Sequence, residues 1–160
     1  ASTGAITRAT AVSFTSATAL SVTTNLASGS YFIRVENNDG NAVRSTNAIL
    51  TASTSPTWST AAGSLGTFAG NTSGTLVTVA ASSDSAITYS VTSGSSDLTS
   101  AGVSLNPSTG ALTTSDFGGS STTPTTYSFE ITATDAEGQT AARSFSLTSS
   151  FGATGGGQFN

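Results

Sequence analysis

The amino-acid sequence predicts an all-β protein made of antiparallel β-sandwiches, and three observations support this prediction. Apolar and polar residues alternate strictly from Tyr127 to Thr134, which is the pattern of a strand with one buried and one solvent-facing side. Short runs of the same kind recur between turn sequences at intervals of roughly 8–12 residues. Serine and threonine supply 61 of the 160 residues, and the β-branched threonine suits a pleated sheet. No stretch shows convincing amphipathic helical spacing, so we expect no helix.

The first module is predicted over residues 1–54. Apolar residues alternate with polar ones at Val12 and Phe14 and again at Leu20 and Val22. A sandwich of immunoglobulin size needs about 100 residues. We therefore expect this module to be the final part of a sandwich, which upstream residues or a neighbouring chain would complete.

A hairpin is predicted over residues 31–50 of this module. Tyr31, Ile33 and Val35 share one side of its first strand, with charged residues between them. The stretch Asn37–Gly40, Asn-Asn-Asp-Gly, is a strong turn signal because asparagine and glycine tolerate positive φ. The chain then returns as the partner strand.

A similar hairpin is predicted near the end of the chain. There the Asp135–Gly138 turn joins the Tyr127 strand to a strand that contains Phe145 and Leu147. Tyr31 and Tyr127 begin the equivalent strands 96 residues apart, which is about the length of one immunoglobulin-like domain. We therefore predict tandem immunoglobulin-like sandwiches; the alternative is that any two exposed hairpins look alike.

The second module is predicted over residues 55–149. Pro56 ends the preceding ladder and marks the boundary. Trp58 is interpreted as a plug in the core or between domains, and Asn106–Gly110 as a turn. Its other strands are predicted around Leu65 and Phe68, Leu76 to Val79, Ile87 to Val91, Val103 to Leu105, and Leu112. Two segments are expected to lack regular structure: the polar crossover Asp116–Thr126 and the Gly-rich flexible tail 150–160.

Composition excludes several classes of function. The net charge is −4 and there is no lysine, which argues against nucleic acid and anionic membranes as partners. No run of about 18 apolar residues exists that could insert into a membrane. Histidine and cysteine are absent, so Ser–His–Asp and Cys–His catalysis are excluded and zinc loses its usual ligands.

Two segments carry a family resemblance. GVSLNPSTGAL and ITATDAEGQTA, within residues 60–148, resemble the core and the final hairpin of the Ig-like, cadherin-like repeat modules of bacteria and their viruses. GSYFIRVENNDGNAVRS resembles the end of an IPT/TIG-type Ig-like domain. These motifs are structural, so they are specific for fold and unspecific for function.

The whole string is also similar to virion structural proteins of marine tailed phages, cyanophages especially. This resemblance implies surface-exposed modules on a tail fibre or a capsid decoration, which serve as spacers or as units that attach to cell-surface glycans.

The resemblance to cadherin-like modules makes calcium the metal to consider, because such modules often bind it through carboxylate clusters. Glu130, Asp135 and Glu137 are the nearest match to a carboxylate cluster. Calcium takes about six to eight oxygen ligands, and a regular strand places Glu130 on the opposite face from Asp135. Asp135 and Glu137 are therefore interpreted as turn residues, and no metal or other cofactor is predicted.

Other candidate sites have simpler structural interpretations. Asn38-Asp39-Gly40 is more plausible as a turn than as a metal loop, and Asn71-Thr72-Ser73 is a formal glycosylation sequon of a kind that arises by chance. Eight scattered acids do not suggest a glycosidase pair. Four aromatic residues could stack on sugars: Tyr31, Trp58, Tyr89 and Tyr127. Three of the four lie at positions predicted to face inward, which favours core packing.

The resemblance implies, and the composition permits, a non-enzymatic virion structural module, for which we predict no catalytic, cofactor or metal residue. The expected partners are other virion proteins, copies of the chain itself and a host-surface glycan, in an oligomeric assembly on the outside of the particle. The alternative is a bacterial surface adhesin or extracellular filament subunit built of similar repeats.

Overall fold

The computed structural model describes residues 6–118 and 123–150, and the chain divides into two compact units, Ala1–Ser53 (unit 1) and Thr54–Asn160 (unit 2). Regular structure is almost entirely strand, so the all-β class is confirmed. Unit 1 contains β1 Ala11–Ser16, β2 Ala19–Thr23, β3 Gly29–Tyr31, β4 Arg34–Glu36, β5 Ala42–Arg44 and β6 Leu50–Ala52. Unit 2 contains β7 Thr57–Trp58, β8 Gly63–Ala69, β9 Gly74–Thr78, β10 Ala81–Ser82, β11 Thr88–Ser93, α1 Ser95–Ser100, β12 Val103–Leu105, β13 Ala111–Thr114, β14 Thr125–Thr134 and β15 Thr140–Ser150.

Unit 1 consists of three two-stranded antiparallel sheets, β1–β2, β3–β6 and β4–β5. The last two are parts of one interrupted hairpin, because β4 and β5 lie between β3 and β6 in the chain. Tyr31 stands opposite Leu50, and Val35 stands opposite Val43. The hairpin predicted over residues 31–50 is thus confirmed.

Unit 2 is a sandwich of two sheets. One has the order β11–β14–β15–β8 and the other β12–β13–β9, while β7 and β10 form a short separate pair. Pairing is antiparallel except between β15 and β8, where Phe145 lies beside Gly63 in a parallel ladder. The two sheets enclose the core because period-two alternation aims one side of each strand inward.

The core of unit 2 confirms the alternation predicted for its last hairpin. Every second residue of β14 from Tyr127 to Ala133 is buried, and so are Phe145 and Leu147 of β15. The opposite sheet contributes Leu112 among others. Of the described residues, fourteen hydrophobic ones form this buried cluster, and all belong to unit 2: Trp58, Val79, Tyr89, Leu98, Ala101, Val103, Leu112, Phe117, Tyr127, Phe129, Ile131, Ala133, Phe145 and Leu147.

Three sequence-based expectations for unit 2 are wrong. A helix, α1, is present; it has six residues and one buried side chain, Leu98, which is too short to show helical periodicity. The segment Asp116–Thr126 is not only polar, because Phe117 is completely buried against the rings of Phe68 and Tyr127. Ser150 belongs to β15, whereas the rest of the predicted tail, 151–160, lies outside the described residues, as do 119–122 of the crossover.

The turns of the two long hairpins have the same geometry. In unit 1 the N–H of Asn37 donates to the carbonyl of Asn41 at 3.0 Å, and in unit 2 the N–H of Asp135 donates to the carbonyl of Gln139 at 3.0 Å. The fourth residue of each turn is a glycine, with φ of 86° and 85°. Both turns therefore place glycine where the left-handed region is required.

The turns also correct the register between the units. Asn37 and Asp135 are 98 positions apart, not 96. Tyr31 therefore corresponds to Phe129 rather than to Tyr127. The turn sets this correspondence, because its hydrogen bonds determine which residues face each other along the hairpin.

The Asn106–Gly110 turn is confirmed and is tightly enclosed. The side-chain oxygen of Asn106 accepts hydrogen bonds from the N–H groups of Ser108 and Thr109 at 2.9 and 3.1 Å. Gly110 has φ 72°, and a Cβ there would stand 2.2 Å from the carbonyl oxygen of Val79. Only glycine fits this combination of backbone angle and close approach.

Unit 1 has no comparable core. None of its described residues, 6–53, is buried, and the least exposed ones, such as Tyr31 and Leu26, are only partly covered. In the part of the chain that the structure describes, no helix has the length and apolar character needed to cross a membrane.

Candidate functional site

Three acidic side chains come together at one end of unit 2. Oxygen atoms of Asp84, Asp135 and Glu137 all lie within 4.8 Å of one another. Asp135 and Glu137 belong to the turn between β14 and β15, and Asp84 lies between β10 and β11. The pairing of Thr88 with Thr134 brings these segments together, because β11 lies beside β14.

Asp135 is the buried member of the cluster, with 5% of its surface exposed. Its Oδ1 accepts hydrogen bonds from the N–H groups of Glu137 and Gln139, at 3.1 and 2.7 Å. A carboxylate that receives two backbone donors stabilises a turn whose N–H groups would otherwise lack partners. Asp135 thus has the turn role predicted from the sequence.

The other two acids are exposed and tie neighbouring segments together. Oδ1 of Asp84 lies 3.4 Å from the N–H of Thr54 and 3.2 Å from the hydroxyl of Ser83. The hydroxyl of Ser85 donates to Oε2 of Glu137 at 2.5 Å and accepts the N–H of Ala136 at 3.1 Å. The cluster therefore links three stretches of the chain that are distant in sequence.

Protein hydrogen bonds reach all three carboxylates. Calcium requires about six to eight oxygens, and the three carboxylates offer six. At least one oxygen of each carboxylate accepts a protein hydrogen bond. Through these bonds the acids anchor the turn.

Two of the three acids, Asp135 and Glu137, could be predicted from the sequence. Asp84 could not, because it lies 51 positions before Asp135 and carries no motif. Glu130, the third acid predicted from the sequence, is not part of the cluster; its Oε1 accepts a hydrogen bond from the hydroxyl of Thr92 at 2.9 Å. The signal that could have found Asp84 is the pairing of β11 with β14, which follows from the sheet order and not from local pattern.

Three of the four aromatic residues considered for a sugar-stacking platform are core residues, and the fourth, Tyr31, is partly covered. Trp58, Tyr89 and Tyr127 are each 8% exposed and belong to the core, as predicted. The indole N–H of Trp58 donates to the carbonyl of Ala141 at 3.0 Å, and its ring meets Phe145 edge-on at 5.2 Å.

The two loop candidates are turns. The Asp39 carboxylate accepts the backbone N–H and the side-chain amide of Asn41, both at 3.0 Å. The backbone bond from Asn41 and then the side-chain bond hold the pKa of Asp39 below its ordinary value of 3.8. Asn71 is exposed and adopts φ 62° in the connection between β8 and β9.

Unit 1 presents a candidate interaction surface. Among the described residues, all eleven large hydrophobic side chains that are exposed belong to unit 1. Phe14 and Val43 are each 76% exposed, and Ile6 is 70% exposed. The set is Ile6, Val12, Phe14, Leu20, Val22, Phe32, Ile33, Val35, Val43, Ile49 and Leu50. Soluble proteins rarely leave so much apolar surface unpaired unless a partner covers it.

Comparison with known proteins supports the fold and goes no further. No protein-family model and no curated protein matches the chain. Among solved structures, a Drosophila N-cadherin fragment containing EC1–4 matches with a TM-score of 0.52 and 13% identity, over 81% of this chain and 35% of that chain. The extracellular cadherin domains 1–4 of protocadherin gamma B7 match with a TM-score of 0.45 and 13% identity, over 76% and 39%.

The chain has an immunoglobulin-like, cadherin-like β-sandwich fold. This confirms the fold predicted from the GVSLNPSTGAL and ITATDAEGQTA segments. The chain spans about a third of the length of the N-cadherin fragment. The IPT/TIG origin of the first module and the phage origin of the chain stay predictions.

Proposed function

We propose that the chain is a non-enzymatic structural and interaction module, displayed on the outside of a tailed-phage particle in a tail fibre or a capsid decoration. In this role unit 2 is a spacer and unit 1 is the element that joins the assembly. Contact with a host-surface glycan is part of the proposal.

The observation that supports this proposal most is that the exposed large apolar side chains belong to one unit. Unit 1 exposes eleven large ones and, over residues 6–53, buries none, whereas the described part of unit 2 exposes none. A chain that contains both a closed sandwich and a coreless unit has what a subunit needs when one part projects into solvent and another is completed by assembly.

Unit 2 has the properties of a spacer. Its core is closed, and its outer surface is rich in hydroxyl groups. On the outer side of the larger sheet, the hydroxyls of Thr92 and Thr132 lie 3.0 Å apart and those of Thr126 and Thr148 lie 3.1 Å apart. Such a surface stays hydrated with few charges, and its hydroxyls also suit weak contact with a polyhydroxylated glycan.

A lack of reactive groups supports a non-enzymatic role. The chain has no histidine or cysteine. The one group of three acids found among the described residues anchors a turn through hydrogen bonds. The resemblance to phage virion modules, and the extracellular cadherin domains among the structural neighbours, support an exposed location.

The experiment that tests this function is cryo-electron microscopy of the particle that carries the parent protein, with a gold-labelled antibody against unit 2. We expect label at fixed, symmetric positions outside the particle. Label on bacterial cell envelopes in its place, together with secretion genes next to the parent gene, would favour the adhesin alternative. A glycan array without binding would remove the attachment role and keep the spacer role.

A further inference from the structure

The two hairpins of unit 1 are amphipathic, and their apolar sides face solvent. In β1–β2, Val12 stands opposite Val22 and Phe14 stands opposite Leu20, so the four side chains share one side of the hairpin. Their exposed fractions are 61%, 52%, 76% and 51%. We call these four residues the β1–β2 face. The other side carries small and polar residues, such as the opposed pair of serines at 13 and 21.

The second hairpin repeats this arrangement. Val35 and Val43 form a cross-strand pair that is 54% and 76% exposed, and we call this pair the β4–β5 face. The opposite side of this hairpin is charged, and there the guanidinium of Arg34 forms a salt bridge with the carboxylate of Glu36, with an N–O distance of 2.7 Å. Both hairpins of unit 1 therefore expose their apolar side to solvent, whereas the hairpin β14–β15 of unit 2 buries its apolar side.

The six side chains of the β1–β2 and β4–β5 faces supply the apolar part of an interface. They are between 51% and 76% exposed, and at about 100–200 Å² for a fully exposed apolar side chain they present roughly 400–700 Å² together. Specific interfaces bury roughly 800 Å² on each partner, of which little more than half is apolar. The two faces thus match the apolar centre of a standard interface.

Apolar content selects the partner among surfaces of this chain, and charge opposes that choice only weakly. Unit 1 carries three arginines and two acids, a net charge of +1, while unit 2 carries one arginine and six acids, a net charge of −5. Two copies of unit 1 therefore repel each other little. Unit 2 of another copy offers no exposed large apolar side chain within its described residues.

We propose that unit 1 of a second copy covers the β1–β2 and β4–β5 faces, so that the chain self-associates through its coreless unit. This inference rests on the proposed role of unit 1 as the assembly element and names its partner. Each copy contributes the same apolar faces, as a two-fold interface requires.

Sedimentation of the full chain over a range of concentrations tests this proposal. We expect a concentration-dependent dimer, and at least tenfold weaker association for the variant V12T/V22T/V35T/V43T. Valine and threonine have nearly the same shape and both suit strands, so this variant changes polarity at exposed positions and leaves strand propensity intact. The matched control is S13T/S21T on the opposite side of β1–β2, which should associate like the unchanged chain.

Two readouts keep the test independent of misfolding. Trp58 is the single tryptophan and lies in the core of unit 2, so its fluorescence reports whether unit 2 remains folded. Hydrogen exchange at the amides of β1 and β2 should slow as the concentration rises.

A chain that stays monomeric at about 0.2 mM with fast exchange in β1 and β2, or a dimer unaffected by the four threonines, would overturn the inference. Either result leaves the proposed place on a particle intact, because microscopy tests that place separately.

Discussion

Units 1 and 2 contain equivalent hairpins that differ in how much of their apolar side is buried. Ile33 and Ile131 occupy equivalent positions, 98 residues apart, before turns with the same backbone hydrogen bonds. Ile131 is completely buried, whereas Ile33 is 42% exposed. The difference shows that turn chemistry and alternation are enough to form a hairpin, while burial requires a second sheet on its apolar side.

The largest expected effect comes from truncating the two isoleucines. Ile131→Ala should lower the free energy of unfolding of unit 2 by about 2–5 kcal/mol, because it leaves a cavity in a packed core. Ile33→Ala should change the same transition by less than about 0.5 kcal/mol, as expected of a surface substitution. Denaturant unfolding followed by Trp58 fluorescence measures both. Equal losses for the two variants would show that Ile33 is also part of a core.

Glycine substitutions compare an enclosed turn with an open one. Gly110→Ala should destabilise unit 2 by about 2–4 kcal/mol, because positive φ and a clash with the Val79 carbonyl act together. Gly138→Ala should lose only about 1–2 kcal/mol, since φ is 85° but a Cβ there meets nothing within 4 Å. Thermal unfolding of both variants checks the order; a reversed order would mean that the Asn106–Gly110 loop can move aside.

The acidic turn of unit 2 should respond to loss of its buried carboxylate. Asp135→Ala should cost about 1–3 kcal/mol, because the N–H groups of Glu137 and Gln139 lose their acceptor. Glu137→Ala, at an exposed position, is the control and should stay within about 1 kcal/mol. The denaturant midpoint measures both.

Calcium provides a second check on the same turn. If the acids act as an anchor, adding about 1 mM calcium should leave the unfolding temperature of unit 2 unchanged. A clear rise would contradict the anchor interpretation, because a ligand that binds the folded state raises its stability.

The smallest effect belongs to the turn of unit 1. The bonds from Asn41 lower the pKa of Asp39, so their contribution is present above the ordinary value of 3.8 and is lost as pH falls through the lower pKa of the folded state. NMR should show the Asn41 amide shift toward its unfolded position below about pH 4. Asp39→Asn should abolish that pH dependence, and a shift centred well above pH 4 would contradict it.

Local pattern predicted the hairpins because their information is local. The alternation from Tyr127 to Ala133 gave the buried side of β14 correctly, and Asn-Asn-Asp-Gly predicted the turn of unit 1. The same alternation at Tyr31, Ile33 and Val35 predicted a side suited to burial, yet that side is substantially exposed. Alternation identifies which side can be buried and not whether anything covers it.

Contacts between distant segments could not be predicted in this way. Phe117 was assigned to a polar crossover because its neighbours are polar, and it nevertheless fills the core beside Tyr127. The parallel pairing of β8 with β15 has no local signal, since its partners lie more than 80 positions apart. The position of Asp84 beside Asp135 depends on the same sheet order.

By itself, the sequence determined the all-β class, the turns and the side of each strand that is apolar, because backbone geometry and period-two alternation act between near neighbours. Tertiary structure decided the rest. It placed a second sheet over the hairpin of unit 2 and, among the described residues of unit 1, none over the equivalent hairpin, because burial depends on how many strands a unit can bring together in space. That difference separates a closed sandwich from a hairpin whose apolar side is exposed.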